Sequence, residues 1–285
     1  MSKPDPLPAK RLRRTSAPAP AASAAPATPI TPTGKPQRHF AIIGARMAGI
    51  VCARTLVQAG HRVTVFEKSH QAGGRTATID SPFGNFDAGA QYFTVRDPRF
   101  ARAIDTVPGI CKRWSANSVQ VLDAAGRVAA VGLPHREAHW VATPGMQSLV
   151  TTWAEPLAQA GQLVTHTRVT RIEPDAVNAP GWQLRTEGAG GEQHVYAGFD
   201  AVLLAQPSVP AQALISGSRL DSPLADAMSK VAIAPCWTLM LAYPQAVRPG
   251  LTTLGPQWNA ARSTHHRIAW LARESSKPGR NVVER

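Results

Sequence analysis

Gly44-Ala45-Arg46-Met47-Ala48-Gly49 lies between a short apolar run and a stretch of helical spacing, and a carboxylate, Glu67, follows 23 residues after the first glycine. A strand, a glycine turn, a helix and a second strand ending in an acid is the arrangement that holds a dinucleotide. The first glycine makes the tight turn and the third lets helix pack on strand. The helix start offers free N–H groups and a partial positive charge to a diphosphate. Glu67 can accept hydrogen bonds from ribose hydroxyls. The middle glycine of that pattern is Arg46 here. Its Cβ and long side chain stand where backbone normally approaches the phosphates, although a guanidinium can itself pair with phosphate. In the stretch that follows Glu67 and Lys68 comes Gly73-Gly74-Arg75, two residues permitting close backbone approach and a permanent cation. Next, Asp87-Ala88-Gly89-Ala90-Gln91-Tyr92 supplies small residues suited to a flat ligand.

These residues need elements to place them. Phe40–Ile43 reads as a buried strand, Met47–Gln58 as a helix ended by Gly60, and Arg62–Glu67 as a second strand, which together make a βαβ unit. Beyond it, Val119–Val131 reads as a hairpin turning near Ala124–Gly126, and Met146–Ala160 as a helix. Strands are expected at Gln162–Ile172, Trp182–Thr186, Gln193–Tyr196, Phe199–Gln206, Trp237–Tyr243 and Arg267–Ala272, with a helix at Ser222–Val231. The sum is an α/β core with a sheet-rich insertion.

The formal net charge of +13 invites a nucleic-acid reading until the charge is located. Lys3, Lys10, Arg11, Arg13, Arg14, Lys35 and Arg38 face only Asp5 in the first 38 residues, a stretch rich in Pro, Ala, Ser and Thr. Residues 1–37 therefore read as a disordered, solvated tail, without interleaved aromatics for base stacking. Neither a nucleic-acid nor a membrane partner is expected. The longest apolar stretch, Phe40–Val57, is interrupted by Arg46 and Arg54, and Arg13-Arg14 precedes a segment too polar for an export signal. Cys52, Cys111 and Cys236 are widely spaced, which suits a reducing, cytoplasmic compartment. Nine histidines form no metal-ligand pattern, and no residue stands out as a catalytic base. Of the tryptophans, Trp237 and Trp270 are candidates to wall a substrate cavity.

Glu67…Gly73-Gly74-Arg75 and Asp87-x-Gly-Ala-Gln-Tyr-Phe-Thr94 together resemble the renalase-like branch of the FAD-dependent amine oxidase superfamily. Supporting segments are Pro144-Gly-Met146, Thr167–Ile172, Phe199–Pro207, Pro235-Cys-Trp237 and Ser275–Arg280. The resemblance covers about residues 39–285. It implies an α/β fold, an FAD/NAD(P)-binding Rossmann-like domain with an inserted sheet-rich substrate domain. The nucleotide-binding parts would be about 38–83 and 142–215, and the substrate parts about 84–141 and 216–285.

It further implies FAD with its diphosphate at the first helix, Glu67 on the adenosine ribose and Arg75 near the diphosphate. Gly89, Ala90, Gln91 and Tyr92 would lie along the flavin, Val169 at adenine, and Lys277 would face either flavin or solvent. The family's chemistry is hydride transfer from an amine-like or dihydronicotinamide-like small molecule to flavin, with O2 or NAD(P)H as redox partner. Two features depart from the family pattern: Arg46, and the absence of the Gly-Asp-containing FAD motif that normally follows Ser-Lys-Pro-Gly-Arg. They imply weaker FAD retention. The alternatives are a non-catalytic nucleotide-binding remnant and an NAD(P)-dependent dehydrogenase.

Overall fold

A computed structural model describes residues 36–114, 119–131, 137–242, 258–264 and 267–280, all within the unit Pro36–Arg285. The basic tail 1–35, Tyr243 and His265-His266 lie outside the described residues. In chain order the elements begin with β1 (His39–Ile43), α1 (Met47–Gln58), β2 (Arg62–Phe66), the hairpin β3 (Thr78–Ser81) and β4 (Gly84–Asp87), β5 (Phe93–Thr94) and α2 (Pro98–Asp105). There follow β6 (Cys111–Trp114), the hairpin β7 (Val119–Leu122) and β8 (Val128–Val131), β9 (His139–Ala142), α3 (Ser148–Gln159) and β10 (Leu163–Val164). The chain continues through β11 (Thr167–Pro174), β12 (Trp182–Gly188), β13 (Gln193–Phe199), β14 (Ala201–Leu204), α4 (Ser208–Gly217), α5 (Pro223–Ser229), β15 (Ala260–Ser263) and β16 (Trp270–Ala272).

The centre is a parallel sheet of order β10-β2-β1-β14. Parallel strands covered on both faces read as continuous apolar runs, and β1 is such a run. Its Ile42 points into a layer with Ile50 and Ala53 of α1 and Leu149, Val150 and Trp153 of α3. Its Ala41 and Ile43 point the opposite way, onto Phe66, Ile172, Leu184, Phe199 and Leu214. That second layer is the antiparallel sheet β11-β12-β13 with α4 behind it. The result is a Rossmann-like sheet sandwiched between helices and a smaller sheet. Further sheets, β16-β15-β7-β8 and β5-β9-β6, share a core of Trp114, Val119, Val141, Met146 and Ala260. Among the described residues no helix is long and apolar enough to cross a membrane.

The βαβ unit, the 119–131 hairpin and the helices near 148 and 223 appear where the residue pattern predicts them. The strand expected over Gln162–Ile172 is two strands, because His166 adopts the left-handed region (φ 53°) between them. β10 closes the parallel sheet and β11 opens the antiparallel one, so one strand-like run serves two layers. The strand expected at Trp237–Tyr243 is not formed among its described residues, and Trp237 is 95% exposed rather than walling a cavity. The strand expected from Arg267 begins only at Trp270. The pattern reading missed α2, although Asp97 caps it by accepting from Arg99 N–H at 2.7 Å with Pro98 in its first turn. It also missed α4 and the strands β3 to β6 and β9.

Candidate functional site

The turn after β1 is built around two glycines. Gly44 has φ 107°, a conformation that side chains rarely adopt, and a Cβ there would meet the Ala205 carbonyl oxygen at 3.0 Å. A Cβ on Gly49 would stand 1.9 Å from the Gly44 carbonyl oxygen. The helix can therefore start this close to β1 only because residue 49 has no side chain. Arg46 is the N-cap residue of α1 and makes no side-chain capping bond, so the first N–H groups of the helix remain available to an acceptor.

Glu67 stands at the end of β2, buried, with both oxygens engaged. Oε2 accepts from Ala45 N–H at 2.8 Å and Oε1 from Ser69 N–H at 2.9 Å. The carboxylate braces the glycine turn against the loop that follows it, and each oxygen keeps a second lone pair for a ligand hydroxyl. A cavity of about 420 Å³ opens beside it. Of the residues expected at a cofactor, Gly44, Arg46, Glu67, Lys68 and Val169 line this cavity. Ala45, Met47, Ala48, Gly49, Gly73, Gly74, Arg75, Gly89, Ala90, Gln91 and Tyr92 do not. Thr167, Arg168, Gln206 and Pro207 also line it. These belong to segments carrying the family resemblance, but their residue types gave no chemical signal of their own. Arg46, Lys68 and Arg168 surround the single carboxylate, so the cavity is electropositive, as a phosphate-bearing ligand requires.

The second glycine loop lies against the first. Gly73 N–H donates to the Ala45 carbonyl at 3.0 Å, and Gly73 is paired with Arg46 in an isolated parallel bridge. The loop is then stitched to the 88–90 turn, where Ala90 N–H donates to the Arg75 carbonyl at 2.9 Å and Ala88 N–H to the Ala77 carbonyl at 3.0 Å. A Cβ on Gly89 would come within 2.0 Å of the Arg75 carbonyl oxygen, which accounts for the glycine. Arg75 is exposed. Gln91 turns its carboxamide inward, donating from Nε2 to the carbonyls of Asp87 (2.5 Å) and Gly89 (3.1 Å). The Tyr92 ring stacks on His139 with centroids 3.9 Å apart and reaches Trp270 at 5.6 Å.

Beneath this turn is a cluster of four charged side chains. Lys277 Nζ donates to Asp87 Oδ2 (2.8 Å), Glu274 Oε1 (2.6 Å) and Gln91 Oε1 (3.1 Å). Arg280 donates to Asp87 Oδ2, to Glu274 Oε2 at 3.1 Å, and to the carbonyls of Ala142 (2.8 Å) and Pro144 (2.6 Å). Asp87 Oδ1 accepts from Thr78 Oγ1 and Met146 N–H, both at 2.9 Å. The Lys277 side chain is 0% exposed, so it is not a surface lysine, and it reaches the 87–92 turn through Gln91. Neither cysteine near the core is an activated nucleophile: burial raises Cys52 and pushes Cys111 up to about 11.

Residues 42–107 match the family described as NAD(P)-binding Rossmann-like domain. The chain is 49% identical over 55 residues to YobN of Bacillus subtilis, a candidate L-amino-acid oxidase, covering 18% of this chain and 12% of that protein. It is 27% identical over 180 residues to the flavin-containing monooxygenase FMO GS-OX-like 6 of Arabidopsis thaliana, covering 61% and 35%. With a 4,4'-diapophytoene desaturase of Staphylococcus haemolyticus it shares 39% over 58 residues, covering 20% and 12%. Among solved structures, an engineered putrescine oxidase aligns with a TM-score of 0.49 at 14% identity, over 62% of this chain and 60% of that one. The chain spans between 12% and 35% of the length of these three curated relatives. Residues 42–107 thus match a Rossmann-like NAD(P)-binding domain in sequence, and the parallel sheet around β1 has a Rossmann-like fold.

Proposed function

We propose that this chain is the nucleotide-binding part of an FAD-dependent oxidoreductase of the amine oxidase superfamily, in its renalase-like branch. One observation carries the reading: two glycine loops, locked to each other by the Gly73–Ala45 hydrogen bond, lead from the Glu67 cavity to the Gly89–Tyr92 turn. A mononucleotide site needs only the first loop. A cofactor long enough to continue toward a flat ring needs the second loop and the small residues beyond it.

In this reading Glu67 accepts from the adenosine ribose and the backbone of Val169 meets adenine. The uncapped N–H groups of α1 take the diphosphate, with Arg75 beside it. The backbone of Gly89 and Ala90 backs the flavin, and Gln91 and Tyr92 act through the turn they brace. Residues 38–83 and 142–215 hold the nucleotide, while 84–141 and 216–285 form the substrate side. Bound FAD supplies the two-electron acceptor, and the chain supplies binding, orientation and electrostatics. The substrate class is an amine-like or dihydronicotinamide-like small molecule, with O2 or NAD(P)H as redox partner.

Purified protein incubated with FAD and desalted should keep a flavin band at about 450 nm that bleaches under anaerobic addition of the right reductant. Protein that retains no flavin but quenches NADPH fluorescence stoichiometrically would point to the NAD(P)-dependent dehydrogenase, a reading favoured by the family match of residues 42–107.

A further inference from the structure

We infer that Arg46 divides the dinucleotide site and sets whether FAD can occupy it. This rests on the nucleotide reading above. A Cβ on Gly74 would meet Arg46 Cγ at 2.6 Å, Nε at 2.8 Å and Cδ at 2.9 Å. The Arg46 side chain therefore lies flat on the open face of Gly74, filling the space that the missing Cβ leaves. Gly74 is the residue before Arg75, whose carbonyl holds Ala90. So Arg46 lies across the route from the Glu67 cavity to the 88–92 turn. The cavity bears this out: Arg46 is in its wall, and no residue between Ala72 and Tyr92 lines it.

The charge of Arg46 is unmatched as well. Among the described residues its guanidinium makes no ion pair or hydrogen bond, while Lys68 and Arg168 line the same cavity. Its side chain packs on Gly74. The nucleoside half of the site is open, and the dinucleotide crossing is closed by a side chain that must leave before a diphosphate can pass. A glycine at 46 leaves that crossing open and suits the N-cap position it occupies.

The test is isothermal titration of the full chain with AMP and with FAD, on wild type, Arg46→Gly and Arg46→Met. AMP probes the nucleoside half and FAD probes the crossing. Arg46→Gly should bind FAD at least fivefold more tightly than wild type, and Arg46→Met, which keeps the bulk without the charge, should show less than half of that gain. An FAD affinity raised less than fivefold in Arg46→Gly, with AMP still bound, overturns the inference and leaves the nucleotide reading standing. So does a gain in Arg46→Met of half or more of that in Arg46→Gly. Absence of both AMP and FAD binding from wild type and Arg46→Gly, each folded by its thermal unfolding transition, overturns the nucleotide reading and the inference together. If Arg46→Gly fails to fold, Arg46→Ala takes its place with the same fivefold criterion.

Discussion

Asp87→Asn is the sharpest probe of how the 274–280 segment holds the 87–92 turn. Four donors converge on Asp87: Thr78 Oγ1 and Met146 N–H on one oxygen, Lys277 Nζ and Arg280 on the other. Asparagine keeps the shape but offers one acceptor oxygen and an NH2 that must face one pair of these donors. Among the described residues, Lys277 and Arg280 are then left with Glu274 as their sole carboxylate. Both cations are buried, 0% and 1% exposed, so water cannot replace the lost charge. Breaking a buried ion pair by removing one partner costs about 3–5 kcal/mol. That is a large share of the roughly 5–15 kcal/mol by which a domain is stable. At about 2–4 °C per kcal/mol for 150–250 residues, the melting temperature should fall by about 6–20 °C.

The assay is urea unfolding followed by tryptophan fluorescence, with the midpoint shifting at unchanged slope. Lys277→Met in the Asp87→Asn background should recover part of the loss, giving a coupling above about 1 kcal/mol between residues in contact. A loss below about 1 kcal/mol in Asp87→Asn, or strict additivity in the double variant, would refute the buried-charge account.

Gly49→Ala places a Cβ 1.9 Å from the Gly44 carbonyl oxygen, so the start of α1 must shift. A destabilisation of about 1–3 kcal/mol is expected in the same unfolding assay, together with weaker nucleotide binding by titration. Glu67→Gln turns one acceptor into a donor against Ala45 or Ser69 N–H, an unsatisfied buried group costing about 1–3 kcal/mol. AMP affinity should fall with it. Trp237→Ser should leave stability within about 0.5 kcal/mol, because the ring is 95% exposed; a larger loss would show that it packs in solution. His39 has a pKa lowered from 6.5 by burial and by Arg62, so its folded form resists protonation. The unfolded chain takes that proton first, so stability should decline as pH falls below about 6.5. His39→Gln should flatten this part of the melting-temperature profile.

Local signals carried the first part of the chain. Phe40–Ile43, the helical spacing after Met47 and the acid at Glu67 are all near neighbours in sequence. A βαβ unit is specified by periods of two and 3.6 plus a glycine turn, and it appears within a residue of expectation. Farther along, agreement depended on who the partners are. The run Gln162–Ile172 carries strand-forming Val, Thr and Ile along its length, and nothing in it announces that His166 will turn it from one sheet into another. Trp237–Leu241 has strand-forming composition, yet no strand forms there among the described residues. The Asp97-Pro98 start of α2 is legible from its cap, in a helix of only eight residues.

The candidate site divides in the same way. The sequence determined which residues must be glycine and why: Gly44 and Gly49 make the turn, and Gly73-Gly74 make the second loop, because backbone must pass where a Cβ cannot. It also marked Arg46 as the departure. Only the tertiary structure decided what these residues do to one another. It laid Arg46 on Gly74, bound both oxygens of Glu67 to backbone, and buried Lys277 and Arg280 between Asp87 and Glu274. These contacts join positions up to 193 residues apart, and Asp87 and Arg280 meet only when the sheets close around them. Steric need is written into each residue type, whereas the pairing of buried charges depends on distances that no spacing along the chain contains.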